Sequence, residues 1–110
     1  MLRIDITNDG ESWNTVDLNG AIVILVLKHN YHLECWYLDI YDSNNNLLLA
    51  GLMLVPNIDI LAPYQQLKLT LGSLVLIEKN AGDYKLTENF GTNTNLLWFE
   101  PEEEIILPEF

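Results

Sequence analysis

Turn-forming residues divide the chain into short apolar segments, and this spacing constrains the fold more than any other feature of the sequence. The segments are rich in Ile, Val, Leu and aromatic residues, and Asn8-Asp9-Gly10, Asn19-Gly20 and Asn44-Asn45-Asn46 lie between them. Asn, Asp and Gly tolerate the backbone of tight turns, and Asn-Gly is a strong hairpin signal. No segment has helical spacing over three turns. The sequence therefore predicts an all-β fold, a small single-domain β-barrel or sandwich of about seven to eight antiparallel strands.

The alternation within individual segments predicts which side chains form the core. Residues 2–7 alternate between apolar and polar side chains, as a half-buried strand does. In residues 33–41, one face carries Trp36, Leu38 and Ile40, which we predict to be the core face. The opposite face carries Tyr37, Asp39 and Tyr41.

The remaining segments are less regular. Residues 21–28 are apolar up to Lys28, a pattern typical of a strand that is buried on both faces or that contacts a partner subunit. Further strands are predicted at 12–18, 47–55, 67–71, 74–78 and 96–99, with Gly51 marking a bulge or bend. Residues 58–64 predict an irregular crossing or one helical turn, and the polar residues 79–95 predict a long loop.

We expect one β domain over residues 1–100 and an extended acidic and apolar C-terminal tail over residues 101–110. Three glutamates at 102–104 precede the apolar end of the tail. The tail either folds back as a final strand or adds to the sheet edge of a neighbouring molecule. The residues predicted to form an interface are Ile105, Ile106, Leu107, Phe110, Trp98 and Phe99.

The charge balance excludes some partners. The formal net charge is −11, from 16 acidic and 5 basic side chains. Binding a phosphate backbone needs clustered Lys and Arg, so we expect no specific binding of nucleic acid. The single cysteine, Cys35, cannot form an intrachain disulfide and is predicted to be buried. No signal peptide or membrane-spanning apolar run is visible, so synthesis in a cytoplasm is expected.

Candidate chemical groups are sparse. His29 and His32 lie near Glu34, but a loop does not enforce convergence on a metal ion. Residues 42–46 resemble the start of a calcium loop but lack its sixth-position Gly and twelfth-position Glu, which favours a simple turn. We therefore predict no metal and no cofactor.

Catalytic carboxylates are not indicated either. Asp39 could pair with Asp42 or Asp59, but with 16 acids in 110 residues chance proximity is expected. No phosphate-binding loop or nucleophile motif occurs, so we predict that the chain is not an enzyme. Two alternatives remain. One is a free-standing β-sandwich module for a sugar or peptide, using Tyr37, Tyr41 and Trp13. The weaker one is a small hydrolase with paired carboxylates.

A longer motif covers residues 36–61. It consists of Trp36-Tyr37-Leu38-Asp39-Ile40-Tyr41-Asp42, the Asn-rich turn, and the apolar segments 47–51 and 54–61. It resembles the baseplate plug proteins of phages with contractile tails, typified by a cyanophage plug. The resemblance extends to residues 16–28 and 96–102, although Asn44-Asn45-Asn46 replaces a glycine-containing turn. The residues that define the motif are Trp36, Leu38, Ile40, Asp42, Asn46 and Gly51.

The resemblance implies a structural component of the virion, a plug at the hub of the tail baseplate. It implies contacts with other baseplate proteins, such as the hub and the tube initiator, and a homo-oligomer within the assembly. The location implied is the virion, after synthesis in the host cytoplasm. The acidic charge would suit a channel through which DNA slides without adhering.

Overall fold

The structure is a computed structural model that describes residues 1–4, 6, 10–18, 20–66 and 71–107. The strands within these residues are β1 (Leu2–Ile4), β2 (Glu11–Leu18), β3 (Ala21–Asn30), β4 (Cys35–Asp42), β5 (Leu47–Met53), β6 (Ser73–Glu78) and β7 (Thr94–Phe99). Two short 3₁₀ helices, Asp83–Lys85 and Thr87–Asn89, lie between β6 and β7.

The strands form two antiparallel sheets, one with the order β2-β3-β4-β5 and one with the order β1-β7-β6. No strand of the described residues is hydrogen-bonded to both sheets, so they do not close into a barrel. The prediction of an all-β fold is confirmed, and of its two architectures the structure has the sandwich.

The four-stranded sheet follows the chain order because each strand returns on its predecessor through a short turn. Leu18 lies opposite Ala21, as the predicted Asn19-Gly20 hairpin requires, although Asn19 itself is outside the described residues. Gly20 has a φ of 98°, and its N–H donates to Asp17 Oδ1 at 2.7 Å. The turn thus uses the positive φ that glycine adopts without a steric penalty.

The predicted core face of β4 is confirmed. Trp36, Leu38 and Ile40 are fully buried, whereas the opposite face of β4 is half-buried. The main core between the sheets also receives Leu25 and Leu27 from β3. Cys35 is buried and free, as predicted.

For residues 21–28 the sequence predicted burial on both faces or contact with a partner subunit, and the first alternative is wrong for most of β3. In β3, Ile22 is exposed and Ile24 is half-buried, so only Val26 is buried on the face away from the core. The strands with both faces buried are β6 and β7. One face joins the main core, and the other forms a second buried cluster of Val75, Ile77, Leu97 and Phe99.

Residues 56–60 run beside β6 and occupy its outer edge. The N–H of Asn57 donates to Leu76 O and the N–H of Ile60 donates to Leu74 O, both at 2.8 Å. For residues 58–64 the sequence predicted an irregular crossing or one helical turn. The structure has the crossing up to Ile60, followed by turns in which the N–H groups of Ala62 and Tyr64 donate to Asp59 O and Leu61 O. The strand predicted over 67–71 lies mostly outside the described residues, and at its end Leu71 has helical backbone, so the prediction is wrong there.

At the entry into β6, the backbone at Gly72 passes close to the backbone at Phe99. Gly72 has a φ of 86°, and a Cβ atom there would lie 2.0 Å from the carbonyl oxygen of Phe99. The indole N–H of Trp98 donates to the buried carbonyl oxygen of Leu71. Glycine is therefore required at position 72 for both conformation and space.

Candidate functional site

Both histidines were predicted to lie in a loop, but His29 belongs to strand β3 and only His32 lies in the turn that follows it. His29 Nε2 lies 2.6 Å from Lys85 O, and its ring packs edge-on against Tyr31 and Trp36. The backbone N–H of His32 donates to Asn30 Oδ1 at 3.0 Å. Within the described parts of the chain, no three His, Cys, Asp or Glu side chains form a group that could hold a metal ion.

The carboxylates considered as catalytic candidates bind backbone groups nearby. Asp39 Oδ1 accepts the N–H of Gly51 at 2.7 Å, and Asp39 Oδ2 lies 3.5 Å from Lys28 Nζ. Asp59 Oδ1 accepts the N–H of Leu61 at 3.1 Å. The Asp39 contact spans the irregular register of β4 and β5, so it fixes the bulge that Gly51 makes.

Asp42 organises the turn between β4 and β5. Its Oδ1 accepts the N–H groups of Asn44 and Asn46, both at 2.9 Å, while Asn45 takes a φ of 65°. These bonds favour the ionised carboxylate, and the bond from the Asn46 backbone is the largest cause that holds the pKa of Asp42 below its ordinary value. The Asn-rich sequence is thus a turn, as predicted, and the motif residues Asp42 and Asn46 are its structural basis.

The face of the four-stranded sheet that points away from the core carries large apolar side chains. We call it the outer face. Trp13, Ile22, Leu47 and Met53 are 62%, 50%, 53% and 51% exposed, respectively. Trp13 also stacks on Tyr41, with ring centroids 5.9 Å apart and an interplanar angle of 23°. Exposed apolar side chains that lie together on one face are typical of an interaction surface.

The three aromatic residues predicted for ligand stacking are divided between two positions. Trp13 and Tyr41 cover part of each other, as described above. Tyr37 instead lines an open groove of about 620 Å³ together with Tyr31, Lys28 and Asp39. Tyr31 was not singled out in the sequence, because a tyrosine in a polar loop carries no periodic signal.

The predicted interface residues do not all lie at the surface. Ile105, Ile106 and Leu107 are 38%, 67% and 38% exposed and belong to no strand. The described part of the tail is therefore not a returning strand. Trp98 and Phe99, by contrast, are only 5% and 1% exposed. Both side chains pack in the core, so the prediction that they lie at an interface is wrong. Phe110 lies outside the described residues.

The tail is attached to the start of β1. The N-terminal ammonium of Met1 lies 2.6 Å from Glu103 Oε2, and Glu103 Oε1 accepts the N–H of Glu100 at 3.0 Å. The ammonium is the largest cause that lowers the pKa of Glu103 below its ordinary value. The last described residues thus begin beside the edge of the three-stranded sheet.

A second groove separates the two sheets on this side of the sandwich. It has a volume of about 430 Å³, and its lining residues are Leu2, Arg3, Ile4, Trp13, Asn14, Thr15, Val16 and Asp17. The lining therefore consists of β1 and the middle of β2, which are edge strands of different sheets. We call it the edge groove.

Comparison with known proteins gives a family for the chain. Residues 1–102 match the family model described as cyanophage baseplate Pam3 plug gp18. No curated protein matches the chain. The described residues include no helix that is long and apolar enough to cross a membrane. Because the family model covers far more than half of the sequence, the chain belongs to the cyanophage baseplate plug family.

Proposed function

We propose that the chain is a plug at the hub of a contractile phage tail, where it acts as a structural part and performs no catalysis. The observation that carries the proposal is the match of residues 1–102 to the baseplate plug family. This match covers both sheets of the sandwich, so it concerns the whole β domain. The place in the virion would be the tail baseplate, after synthesis in the host cytoplasm.

The contacts of the acidic side chains support a role without catalysis. Asp39, Asp42 and Asp59 each accept hydrogen bonds from the local backbone. Removing such a carboxylate would loosen a bulge or a turn, so these residues have a structural reason to be present. The net charge of −11 would also disfavour adhesion of DNA to the plug.

The proposed partners are other baseplate proteins, including the hub and the tube initiator, and further copies of the chain. The outer face offers an apolar centre with Trp13, Ile22 and Met53 exposed. Glu11 and Asp17 lie at the two ends of β2 beside this centre. A complementary partner would therefore present an apolar patch with basic residues around it.

Mass spectrometry of purified virions tests the proposal directly. The chain should be present in intact particles and in isolated baseplates, and purified chain should bind hub or tube-initiator protein. The change Trp13→Asp, which introduces a negative charge on the outer face, should abolish that binding, whereas Glu88→Gln, at an exposed position outside the outer face and the tail, should leave it unchanged. Virions that lack the chain would contradict the proposal.

A ligand-binding module is the second candidate, and the groove with Tyr31 and Tyr37 favours it. Lys28 and Asp39 provide charged groups beside the two aromatic rings, a combination suited to a sugar or a short peptide. Titration of NMR amide signals with simple sugars would test it. Shifts confined to this groove, and lost in Tyr37→Ala, would favour the module, whereas unchanged spectra would exclude sugars.

A further inference from the structure

Among the described residues no strand pairs with the outer edge of β2, and this edge presents backbone groups that point away from β3. Gly10 O accepts the N–H of His29 at 2.7 Å, and Leu18 lies opposite Ala21 beside the two-residue turn. Hydrogen-bonded pairs alternate along an antiparallel ladder. The even-numbered residues of β2 therefore bond to β3, and the outward N–H and C=O groups belong to Glu11, Trp13, Thr15 and Asp17.

The other three edges of the sandwich are short, irregular or covered. Strand β1 has three residues, and β5 pairs with β4 through a shifted register. Asn57 and Ile60 bond to the outer edge of β6. Strand β2, in contrast, keeps an unbroken register over eight residues and contains no Pro, Lys or bulge. Proteins commonly protect free edges with such features, so β2 is an edge suited to pairing.

The edge groove would accommodate an added strand. Such a strand would lie along β2 and face β1 across the groove, so that it would connect the two sheets on this side. Its alternate side chains would enter the groove beside Ile4 and Val16, both of which pack with the main core. The side chains between them would lie on the outer face beside Trp13. Arg3, which lines the groove, would provide a positive charge for an acidic strand.

Residues 104–107 of the tail have the properties that such a strand needs. They are unpaired with any strand of the described residues, and their apolar side chains are exposed. In an extended conformation, Ile105 and Leu107 would share one face and Ile106 the other. The two aliphatic groups would enter the groove, and Ile106 would reach Trp13. Glu104, which directly precedes Ile105 and is exposed, would approach Arg3.

We infer that the tail of one copy adds as a strand to the β2 edge of a second copy, within the edge groove. The inference rests on the proposed function, since it specifies how copies of the plug contact each other. A second copy is the fitting source because Glu103 is held beside β1 of its own chain, and residues 104–107 continue from there without pairing with any strand of the described residues. The described tail residues do not line the groove of their own chain.

Disulfide trapping between two variants tests the inference with the full chain. Thr15→Cys and Ile106→Cys would place both thiols on the outer face, so that mixing the variants under mild oxidation should form a covalent dimer. Thr15→Cys mixed with Ile105→Cys is the matched control and should lose this dimer, because position 105 would face the groove. The wild-type chain controls for the buried thiol of Cys35.

Three outcomes would overturn the inference. A dimer formed by Thr15→Cys alone would mean that two β2 edges pair with each other. An intrachain disulfide in the Thr15→Cys, Ile106→Cys double variant, without covalent dimers, would mean that the tail occupies its own groove. The absence of any trapped dimer on mixing would exclude contact between tail and edge.

A backbone change provides a second measurement. Thr15→Pro removes the outward N–H of an edge strand, a position at which proline is tolerated, whereas Thr15→Val keeps it. Light scattering should show loss of self-association for the proline variant only, and equal self-association of two folded variants would overturn the inference. If the proline variant does not fold, the trapping result decides. Detection of the chain in virions is a separate readout, so the failure of one proposal does not imply the failure of the other.

Discussion

In the four-stranded sheet most strands bury one face, whereas β6 and β7 of the three-stranded sheet bury both. The difference is visible in the two tryptophans of the core. Trp36 comes from an alternating strand and packs at 4.7 Å, centroid to centroid, against Phe90. Trp98 comes from a strand with no exposed residue, and it bonds to the backbone at Leu71. Strands buried on both faces have less room for change than strands with one solvent face.

The glycines give the sharpest test of this contrast. Gly72→Ala should cost about 3–5 kcal/mol of unfolding free energy, because its Cβ would meet the Phe99 carbonyl oxygen and the backbone would have to move. Gly51→Ala should cost only about 1–2 kcal/mol, because it has open space and is strained by its positive φ alone. Urea denaturation of both variants provides the measurement. Equal losses would contradict the tighter packing beside β6.

Substitution of the two tryptophans should also cost more stability in the three-stranded sheet than in the four-stranded one, although the difference should be smaller than for the glycines. Trp98→Phe leaves the buried carbonyl oxygen of Leu71 without its donor, which costs about 1–3 kcal/mol beyond the lost packing. The Nε1 atom of Trp36 is buried without a hydrogen-bond partner among the described residues, so Trp36→Phe removes an unsatisfied donor. Urea midpoints should therefore fall further for Trp98→Phe, and a larger fall for Trp36→Phe would refute this reasoning.

Deleting residues 105–110 should weaken assembly more than it weakens the fold. Ile105, Ile106 and Leu107 are exposed, and exposed residues usually contribute within about 0.5 kcal/mol. Thermal unfolding and light scattering of the truncated chain should therefore show a nearly unchanged melting temperature and reduced self-association. A sharp fall in melting temperature with unchanged association would identify the tail as part of the core.

The Asp42 turn between β4 and β5 should make the free energy of unfolding depend slightly on pH. The pKa of Asp42 is lowered in the folded chain, so its contribution is complete above the ordinary aspartate pKa of about 4 and is lost as the pH falls through the lower folded value. Asp42→Asn should remove this part of the dependence. The two urea midpoints should differ most above pH 4 and converge at lower pH, and a constant difference would contradict the assignment.

The sequence predicted the four-stranded sheet better than the three-stranded one. Alternation identified the core face of β4, and Asn-Gly identified the hairpin between β2 and β3, because both signals are local. For β3 the sequence left open burial of both faces or contact with a partner subunit, and it did not predict the burial of both faces in β6 and β7, since an apolar run does not specify what covers its second face. Trp98 and Phe99 were assigned to an interface, but both are buried in the structure.

The edge groove could not be predicted because it depends on how the two sheets are placed. The residues on its two sides, Leu2–Ile4 and the middle of β2, belong to different sheets. No local pattern in either segment indicates the other. The family motif over residues 36–61 could be recognised in the sequence for a different reason. Its Asp, Asn and Gly residues form the turn and the bulge between β4 and β5, and these structures require those residue types.

The pairing of β1 with β7 has a consequence for the order of folding. Leu2 lies opposite Trp98, so this contact closes nearly the whole chain, whereas the four-stranded sheet is built only from neighbouring hairpins. Closing a long loop costs more entropy than closing a short one. We expect the β3–β4 hairpin to be structured in the folding transition state and Ile4 to join late, which φ-values for Leu25→Ala and Ile4→Val would measure. During translation, β1 would be synthesised early but could pair only after β7 had been synthesised.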